Sequence, residues 1–544
     1  MVEHVLAKDE TGVRFSLAAH SKVNLLKEKN LISKIPKEVS YVTDTLEKAG
    51  FEAYLVGGCV RDLLMDNPPA GGPKDWDVTT NAKPDQIIGL FEKTVYENTF
   101  GTVGVVVARE TGQDSVSRVT LEPNFIVEVT PYRTETKYTD FRHPDEVKFA
   151  ETLEEDLKRR DFTINAMSYR KGHGESGLTD IFGGLKDIES KTLRTVGNPD
   201  ERFKEDALRM LRAVRFSVQL DFSIASEVTE SILKNANLIK KISAERIRDE
   251  FVKIIMSQNP SGGIVMLEKF GLLKNIIPEL EEGVNCMQSG EHVYDVWNHS
   301  LYALQHAADK HPPAGGWPLE IRLAALFHDI GKPRTRRLAS SVRGRPIKKK
   351  FTFYGHEVIG ARMTKKIMER LKFPKKEIEL VEKLVRNHMF FSDTELITLS
   401  AVRRIIAKIG QENIWLLMNV RECDRVGTNK KETSYRLRKY FAMIEEALRD
   451  PISVGQLKIN GEFMMKDLGI KPGPRMGWML NALLEEVLDD PSKNTTEHLS
   501  ELVKSLNMLG DPELKTLGER GKEKKEELEE KEVAKLHQKH GVRK

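Results

Sequence analysis

The chain has only three cysteines among 544 residues, and Cys59, Cys286 and Cys423 lie far apart without metal-ligand spacing. That excludes a disulfide framework and fits a reducing compartment. It also lacks any run of about 18 apolar residues, and the first segment, MVEHVLAKDE, is charged from Glu3 onward. Neither a membrane span nor a secretory signal is expected, so the expected location is cytoplasmic. A dominant charge sign is missing too: 86 Lys and Arg stand against 82 Asp and Glu, a net +4. Any surface for nucleic acid must therefore come from local clusters. What is present, 39% hydrophobic and 31% charged residues, is a soluble globular composition. The length suggests roughly three or four domains at about 150 residues each.

The organising stretch is Tyr54 to Thr79, YLVGGCVRDLLMDNPPAGGPKDWDVT. An apolar, β-prone run stops at Gly57-Gly58 and a short helix follows. Adjacent glycines let backbone N–H groups approach an anion, and Arg61 sits where a helix dipole also favours phosphate. Asp75 and Asp77 lie two apart in strand-like DWDVT, so both carboxylates share one face. Like charges held that close call for a cation, and Mg2+ prefers carboxylate plus phosphate oxygen. The implied chemistry is metal-assisted nucleotidyl transfer.

Before this stretch, residues 1–35 carry no periodicity and read as an extension, whereas IPKEVSYVTDTLEKAG predicts a helix ending at Gly50. After it, NAKPDQIIGLFEK predicts a capped helix, and GTVGVVVA and NFIVEVTPYR predict strands. Glu128, a charge between apolar neighbours in FIVEVTPYR, either points to solvent or joins Asp75 and Asp77 as a third carboxylate that takes the proton of an attacking hydroxyl. Residues 133–147 are polar and predict a mobile loop. Arg160, Asp161 and Asn165 lie in RRDFTINAM, otherwise a buried run, where a ribose hydroxyl and a triphosphate would give them partners. Residues 180–199 predict turns and a short strand. ERFKEDALRMLRAVRFSVQLDF predicts one strong helix with Asp206, Arg209, Arg212 and Arg215 as a charged ridge. That ridge is either a surface salt-bridge ladder or a base reader. In the second case Asp206 accepts and Arg209 donates, which complements the edges of cytosine and adenine and opposes those of uracil and guanine.

LVGGCVRDLL with DWDVT, RRDFTINAM and EDALRMLRAVRF resemble, in order across residues 36–280, the successive motifs of the class II tRNA nucleotidyltransferase and poly(A) polymerase superfamily. The resemblance implies that Gly58 and Arg61 bind the incoming triphosphate, that Asp75 and Asp77 hold Mg2+, and that Arg160 contacts phosphate. It implies that Asp206 and Arg209 read the base while Arg212 and Arg215 help bind the nucleotide. The implied reaction is attack of a tRNA 3′-hydroxyl on the α-phosphate of CTP or ATP, adding C, C and then A and releasing pyrophosphate. TFGTVGVVV and the 133–147 loop look more like CCA-adding members than poly(A) polymerases, with Asp140 and Arg142 as candidates for the switch to ATP. The stretch NPPAGGP is longer than the loop usual in the family.

A second site follows. His328-Asp329 ends the apolar run IRLAALF, His299 precedes it, and His356, His388 and Asp424 come at intervals suited to separate helices. Imidazoles and carboxylates in such a set suit Mn, Fe, Ni, Co or Mg. NH, HDIGKP, FYGHE, RNH and the late Asp resemble the HD phosphohydrolase domain over residues 291–430, which implies a second divalent metal and a possible role in tRNA end repair. The basic stretch PRTRRLASSVRGRPIKKK is a candidate for RNA phosphate contact.

The expected fold is α+β: a small mixed-sheet nucleotidyltransferase head (36–195), a helical neck and RNA-binding region (196–290), the HD domain (291–430), and a helical body and tail (431–544) ending in a solvated charged helix. The expected partners are tRNA, CTP and ATP, with no membrane. The rival readings are a poly(A) polymerase or partial CCA-adding enzyme, and an RNA-binding protein with an inactive core.

Overall fold

The computed structural model describes residues 33–66, 68, 71–97, 101–108, 125–136, 146–172, 177–288, 292–310, 315–338, 351–389, 398–426, 435–448 and 454–540. The expected N-terminal extension, apart from residues 33–35, lies outside these, as do Asp140, Arg142 and residues 339–350 of the basic stretch. The chain divides into two compact units, residues 1–386 with 419–427, and residues 387–418 with 428–544.

The first unit opens with helix α1 (Lys37–Lys48), whose Val39, Val42 and Leu46 form one fully buried stripe. The seven-stranded sheet beneath runs β3-β4-β5-β2-β1-β8-β9. Its strands are β1 (Ala53–Val56), β2 (Asp77–Thr80), β3 (Thr94–Glu97), β4 (Thr102–Val107), β5 (Phe125–Pro131), β8 (Met167–Tyr169) and β9 (Leu178–Asp180). It is mixed, because β2 pairs parallel with β5 and antiparallel with β1. Helix α2 (Gly58–Leu64) leaves the end of β1, and α3 (Pro84–Leu90) carries the expected cap, with the Gln86 side chain accepting from Lys83 N–H at 2.9 Å. Val78, Val103, Val105, Val127 and Val129 share one core with the α1 stripe and Ile87. Period-two alternation therefore turns Asp77, Gly104 and Glu128 to the opposite face.

Three local expectations change. Residues 133–136 and 146–149 are not loop but an antiparallel ribbon, β6 (Arg133–Thr136) with β7 (Glu146–Phe149). A two-stranded ribbon needs no apolar periodicity to pair, which is why polar sequence concealed it. Residues 180–199 contain a helix, α5 (Gly184–Glu189), set by Asp180, whose carboxylate accepts from the N–H groups of Gly184 and Leu185 at 2.8 and 2.9 Å. The long neck helix is two: α6 (Pro199–Glu205) and α7 (Leu208–Leu220). The break is Asp206, in extended conformation, whose Oδ1 accepts from Leu208 N–H at 3.0 Å and starts the second helix. Between the ribbon and β8 lies α4 (Leu153–Lys158), its N-terminus capped by Thr152.

The neck continues with α8 (Ser226–Asn235), α9 (Ala244–Ile255) and α10 (Pro260–Lys269). The HD region follows with α11 (Val296–Asp309), α12 (Leu319–Phe327), α13 (His356–Arg370) and α14 (Lys375–Asn387). Arg322 of α12 is fully buried and donates to carbonyls of Ile255 and Ser257 at 2.8 Å, of Trp317 at 2.9 Å, and of Gly315. A buried guanidinium saturated by backbone oxygens satisfies the open carbonyl end of α9 from the neighbouring region.

The second unit contains α15 (Leu399–Ile409), the first turn of α16 (Ile414–Asp424), α17 (Tyr435–Leu448), α18 (Pro474–Asp489), α19 (Thr496–Asn507) and the expected charged helix, α20 (Asp511–Lys539). α20 buries Leu514, Gly518 and Gly521, and a Cβ on Gly521 would lie 2.2 Å from Asn481 O of α18. No helix among the described residues is long and apolar enough to cross a membrane.

Candidate active site

The carboxylates are set by the sheet. Trp76 is buried in the core, so Asp75 and Asp77 on either side of it turn outward, Asp75 exposed and Asp77 half-buried. Burial raises the Asp77 pKa, nearby Arg160 lowers it, and the Asp75 charge raises it again, with a net upward shift. The parallel register places Glu128 directly beside Asp77 on the same face. Cys59, within the glycine motif, is no nucleophile: burial pushes its thiol up to about 11.

Beside the carboxylates, Gly57 stands at φ 81°, a conformation that favours glycine, and a Cβ there would meet Arg160 Nη1 at 2.9 Å and Asp77 Oδ2 at 3.7 Å. The turn thus brings backbone within reach of both the carboxylate and the guanidinium. Arg160 is held at 3.3 Å by Asp156, which is fully buried and also pairs with Arg159 at 2.8 Å. Arg61 donates to Asn165 Oδ1 at 2.7 Å, and Asn165 donates to Asp161 Oδ1 at 3.1 Å. Asp161 Oδ2 accepts from Arg212 at 2.6 Å. Burial opposes its ionisation, but Arg212 and Arg209 outweigh burial and hold its carboxyl well below the usual range. Arg61, Arg212 and Arg215 all lie over the Phe216 ring, at 5.3, 5.3 and 4.2 Å. Glu250 of α9, also buried, holds Arg215 at 3.2 Å and Arg212 at 3.8 Å. Burial and the Arg212 charge bring Arg215 down to about 10. Arg61, Arg160, Asp161, Asn165, Arg212 and Arg215 therefore form one cationic wall beside Gly57-Gly58.

Asp206 and Arg209 stand at the break between α6 and α7, where Arg209 N–H donates to Asp206 O at 3.1 Å. Asp206 Oδ2 accepts from Arg246 of α9 at 2.6 Å, while Arg209 pairs with Glu205 at 2.6 Å and donates to Arg159 O at 3.0 Å. The single helix that a surface ladder would need is broken at Asp206, which is extended. Arg246 and Glu250, four apart on one face of α9, escaped sequence reading because their spacing is that of any amphipathic helix. Asp156 and Phe216 were likewise missed, and of the expected glycine pair it is Gly57 that the turn constrains.

The second cluster gathers four helices' ends. His299 of α11, His328 and Asp329 after α12, and Asp424 at the end of α16 bring ligand atoms within 4.8 Å of one another. His299 Nε2 lies 3.1 Å from His328 Nε2 and 3.3 Å from Asp424 Oδ1. Asp329 lies 3.2 Å from His328 Nε2 and 3.3 Å from His356 Nε2, and Lys332 pairs with it at 2.6 Å. His328 and His356 donate Nδ1–H to Ala325 O at 2.8 Å and Phe353 O at 2.7 Å, which turns Nε2 of each ring inward. Burial works against the His328 cation, yet the Asp329 and Asp424 charges push it up to about 10, while both carboxylates are lowered well below the usual range. So much buried acid facing imidazole nitrogens fits a divalent cation. His388 is buried just past α14, in the second unit.

Three family models match in order along the chain: the poly A polymerase head domain over residues 53–194, the probable RNA and SrmB-binding site of polymerase A over 221–283, and the HD domain over 296–427. A CCA-adding enzyme of Ligilactobacillus salivarius is 30% identical over 492 residues, 88% of this chain and 98% of the relative. One of Lactobacillus helveticus is 46% identical over 214 residues, 39% of this chain and 48% of the relative. Among solved structures, the Bacillus stearothermophilus CCA-adding enzyme in complex with CTP covers 86% of this chain and 97% of its own, at 25% identity and a TM-score of 0.53. A relative matched along almost its whole length, together with a head, an RNA-binding and an HD model falling in that order, makes this protein a member of the CCA-adding enzyme family.

Proposed function

We propose that this protein extends tRNA 3′ ends by C, C and then A from CTP and ATP, without a template, in the cytoplasm. The observation that carries the reading is the junction of two environments at Gly57. On one side stands the carboxylate row Asp77–Glu128, and on the other the cationic wall of Arg61, Arg160, Arg212 and Arg215. The triphosphate lies along the wall, with Gly58 admitting its oxygens and Arg160 held to them by buried Asp156. Asp161 and Asn165 fix the guanidiniums of Arg212 and Arg61 and face the ribose. Asp75 and Asp77 are hard oxygen donors whose mutual repulsion a cation relieves, and Mg2+ held there would offset phosphate charge as the 3′-hydroxyl attacks. Glu128 accepts the hydroxyl proton. Asp206 accepts from the exocyclic amine of C or A and Arg209 donates to the adjacent ring nitrogen, with Arg246 and Glu205 fixing their orientations.

The test offers tRNAs lacking CCA, CA or A to the enzyme with Mg2+ and CTP, ATP, both, or UTP and GTP, and reads extension on a gel. Growth by one completed CCA supports the reading. A long A ladder or a single-step addition replaces it with the poly(A) or partial-addition rival, and bound but unextended tRNA replaces it with the inactive-core rival.

A second activity rests on the buried cluster of His299, His328, Asp329, His356 and Asp424, which would hold Mn, Fe, Ni, Co or Mg and activate water against a phosphoester. Hydrolysis of a 2′,3′-cyclic phosphate at a tRNA end, measured with each metal, tests it.

A further inference from the structure

The register of the sheet carries the carboxylate row further than the catalytic pair. Asp77 of β2 stands opposite Glu128 of β5, Glu128 opposite Gly104 of β4, and Gly104 opposite Val95 of β3. All four positions share the open face. At about 4.8 Å per strand, Gly104 lies roughly 10 Å from Asp77 and Val95 roughly 14 Å. Beyond Glu128, Gly104 is flanked among the described residues by two exposed aliphatic side chains. Val95 and Ile126 are each 55% exposed, and a Cβ on Gly104 would come 3.4 Å from Ile126 Cγ2 and 3.5 Å from Val95 O. Exposed aliphatic side chains flanking a glycine on the face that carries the reacting groups form a shallow plate. It is unlike the opposite face, where Val103, Val105 and Val127 are buried under helices.

In-line phosphoryl transfer requires the attacking and leaving oxygens on opposite sides of the α-phosphorus. The whole cationic wall lies on the β1 and β8 side of Asp77, contributed by the turn after β1, the segment before β8, and α7. Pyrophosphate leaves toward that side. The attacking 3′-hydroxyl must then arrive from the other side, over β5, β4 and β3, with Glu128 first in its path. Resting on the nucleotidyl-transfer reading, we infer that the strip Val95–Gly104–Ile126 seats the terminal nucleoside of the RNA acceptor. An aliphatic plate with no side-chain donor or acceptor also suits the chemistry. The acceptor end changes from one base to the next as C, C and A are added, and a surface that only stacks accepts every base alike.

Gly104→Val tests this, since β4 is regular strand, the position has no positive φ, and the added methyls project onto the plate. Ile126→Ser is its partner, shortening a side chain that the core does not use. With the full-length enzyme and a tRNA lacking CCA, each variant should raise the acceptor KM at least tenfold. The KM for CTP at saturating tRNA should stay within twofold and the melting temperature should be unchanged. An acceptor KM unmoved in both variants overturns the inference while the wild type still adds CCA. A wild type that adds no nucleotide overturns the nucleotidyl-transfer reading itself. If Gly104→Val melts early, Ile126→Ser alone decides by the same criterion. A rise in the KM for CTP equal to that for tRNA also overturns it, because the strip would then belong to the nucleotide side.

Discussion

Asp206→Asn isolates the base-reading claim. In the structure Oδ1 of Asp206 caps the N-terminus of α7 and Oδ2 receives Arg246 at 2.6 Å, and on the proposed reading the remaining lone pairs would meet the incoming base. The asparagine oxygen still caps Leu208 N–H, so the roughly 1 kcal/mol that a lost cap costs is retained. Its amide group, however, places a donor where an acceptor stood. A hydrogen bond to a charged group contributes about 1.5–3 kcal/mol, so kcat/KM for CTP should fall by roughly 10- to 150-fold. UTP, with a carbonyl at that position, should lose less or gain. The CTP-to-UTP ratio should therefore shift by at least about tenfold. Single-nucleotide extension of a tRNA lacking CCA, with each triphosphate titrated separately, measures it. Arg246→Ala controls for the displaced guanidinium, and it should weaken discrimination less than Asp206→Asn. A ratio that stays constant in Asp206→Asn while both rates fall alike would refute the reasoning and leave Asp206 as a cap and ion-pair partner only.

Gly57→Ala should cut kcat/KM for both CTP and ATP by about 100-fold, because the methyl displaces Arg160 from its place beside Asp77 and the positive φ adds about 1–3 kcal/mol of strain; parallel extension assays and thermal melting check it. Asp329→Asn should abolish phosphoester hydrolysis and divalent-metal retention while CCA addition stays within about threefold; metal analysis of the purified protein and paired assays read both. Gly521→Leu should force α20 off α18, since even a Cβ would lie 2.2 Å from Asn481 O, at a cost of about 1–3 kcal/mol or more; proteolysis of α20 under native conditions reports it.

Where the sequence carried punctuation, the structure was legible in it. Gly57-Gly58 ends β1, the buried Trp76 separates two outward carboxylates, and Pro36 and Gly50 bracket α1. The HD set was legible for another reason, since histidines and aspartates at the ends of apolar helices have few structural uses there. The break at Asp206 was not, because EDAL contains neither glycine nor proline and the helical period runs on across it. The ribbon of β6 and β7 was hidden by its polar sequence. Arg246 and Glu250 were hidden by distance, forty and thirty-five residues from the side chains they hold. Pairing between separate helices leaves no local trace, so half of the wall's electrostatics became visible only in three dimensions.

The single buried guanidinium of Arg322 changes how the chain can be divided. By motif, a detachable HD module starts at residue 291. By hydrogen bonding, the last carbonyl of α9, Ile255 O, and Ser257 O just beyond it are bound by a side chain that comes 67 and 65 residues later. Cutting at the motif boundary would strand those oxygens in apolar surroundings on one piece and an unneutralised cation on the other. The heritable unit and the foldable unit are thus different lengths of the same polypeptide, and a chimera that respects the second would carry α9 along with the HD region.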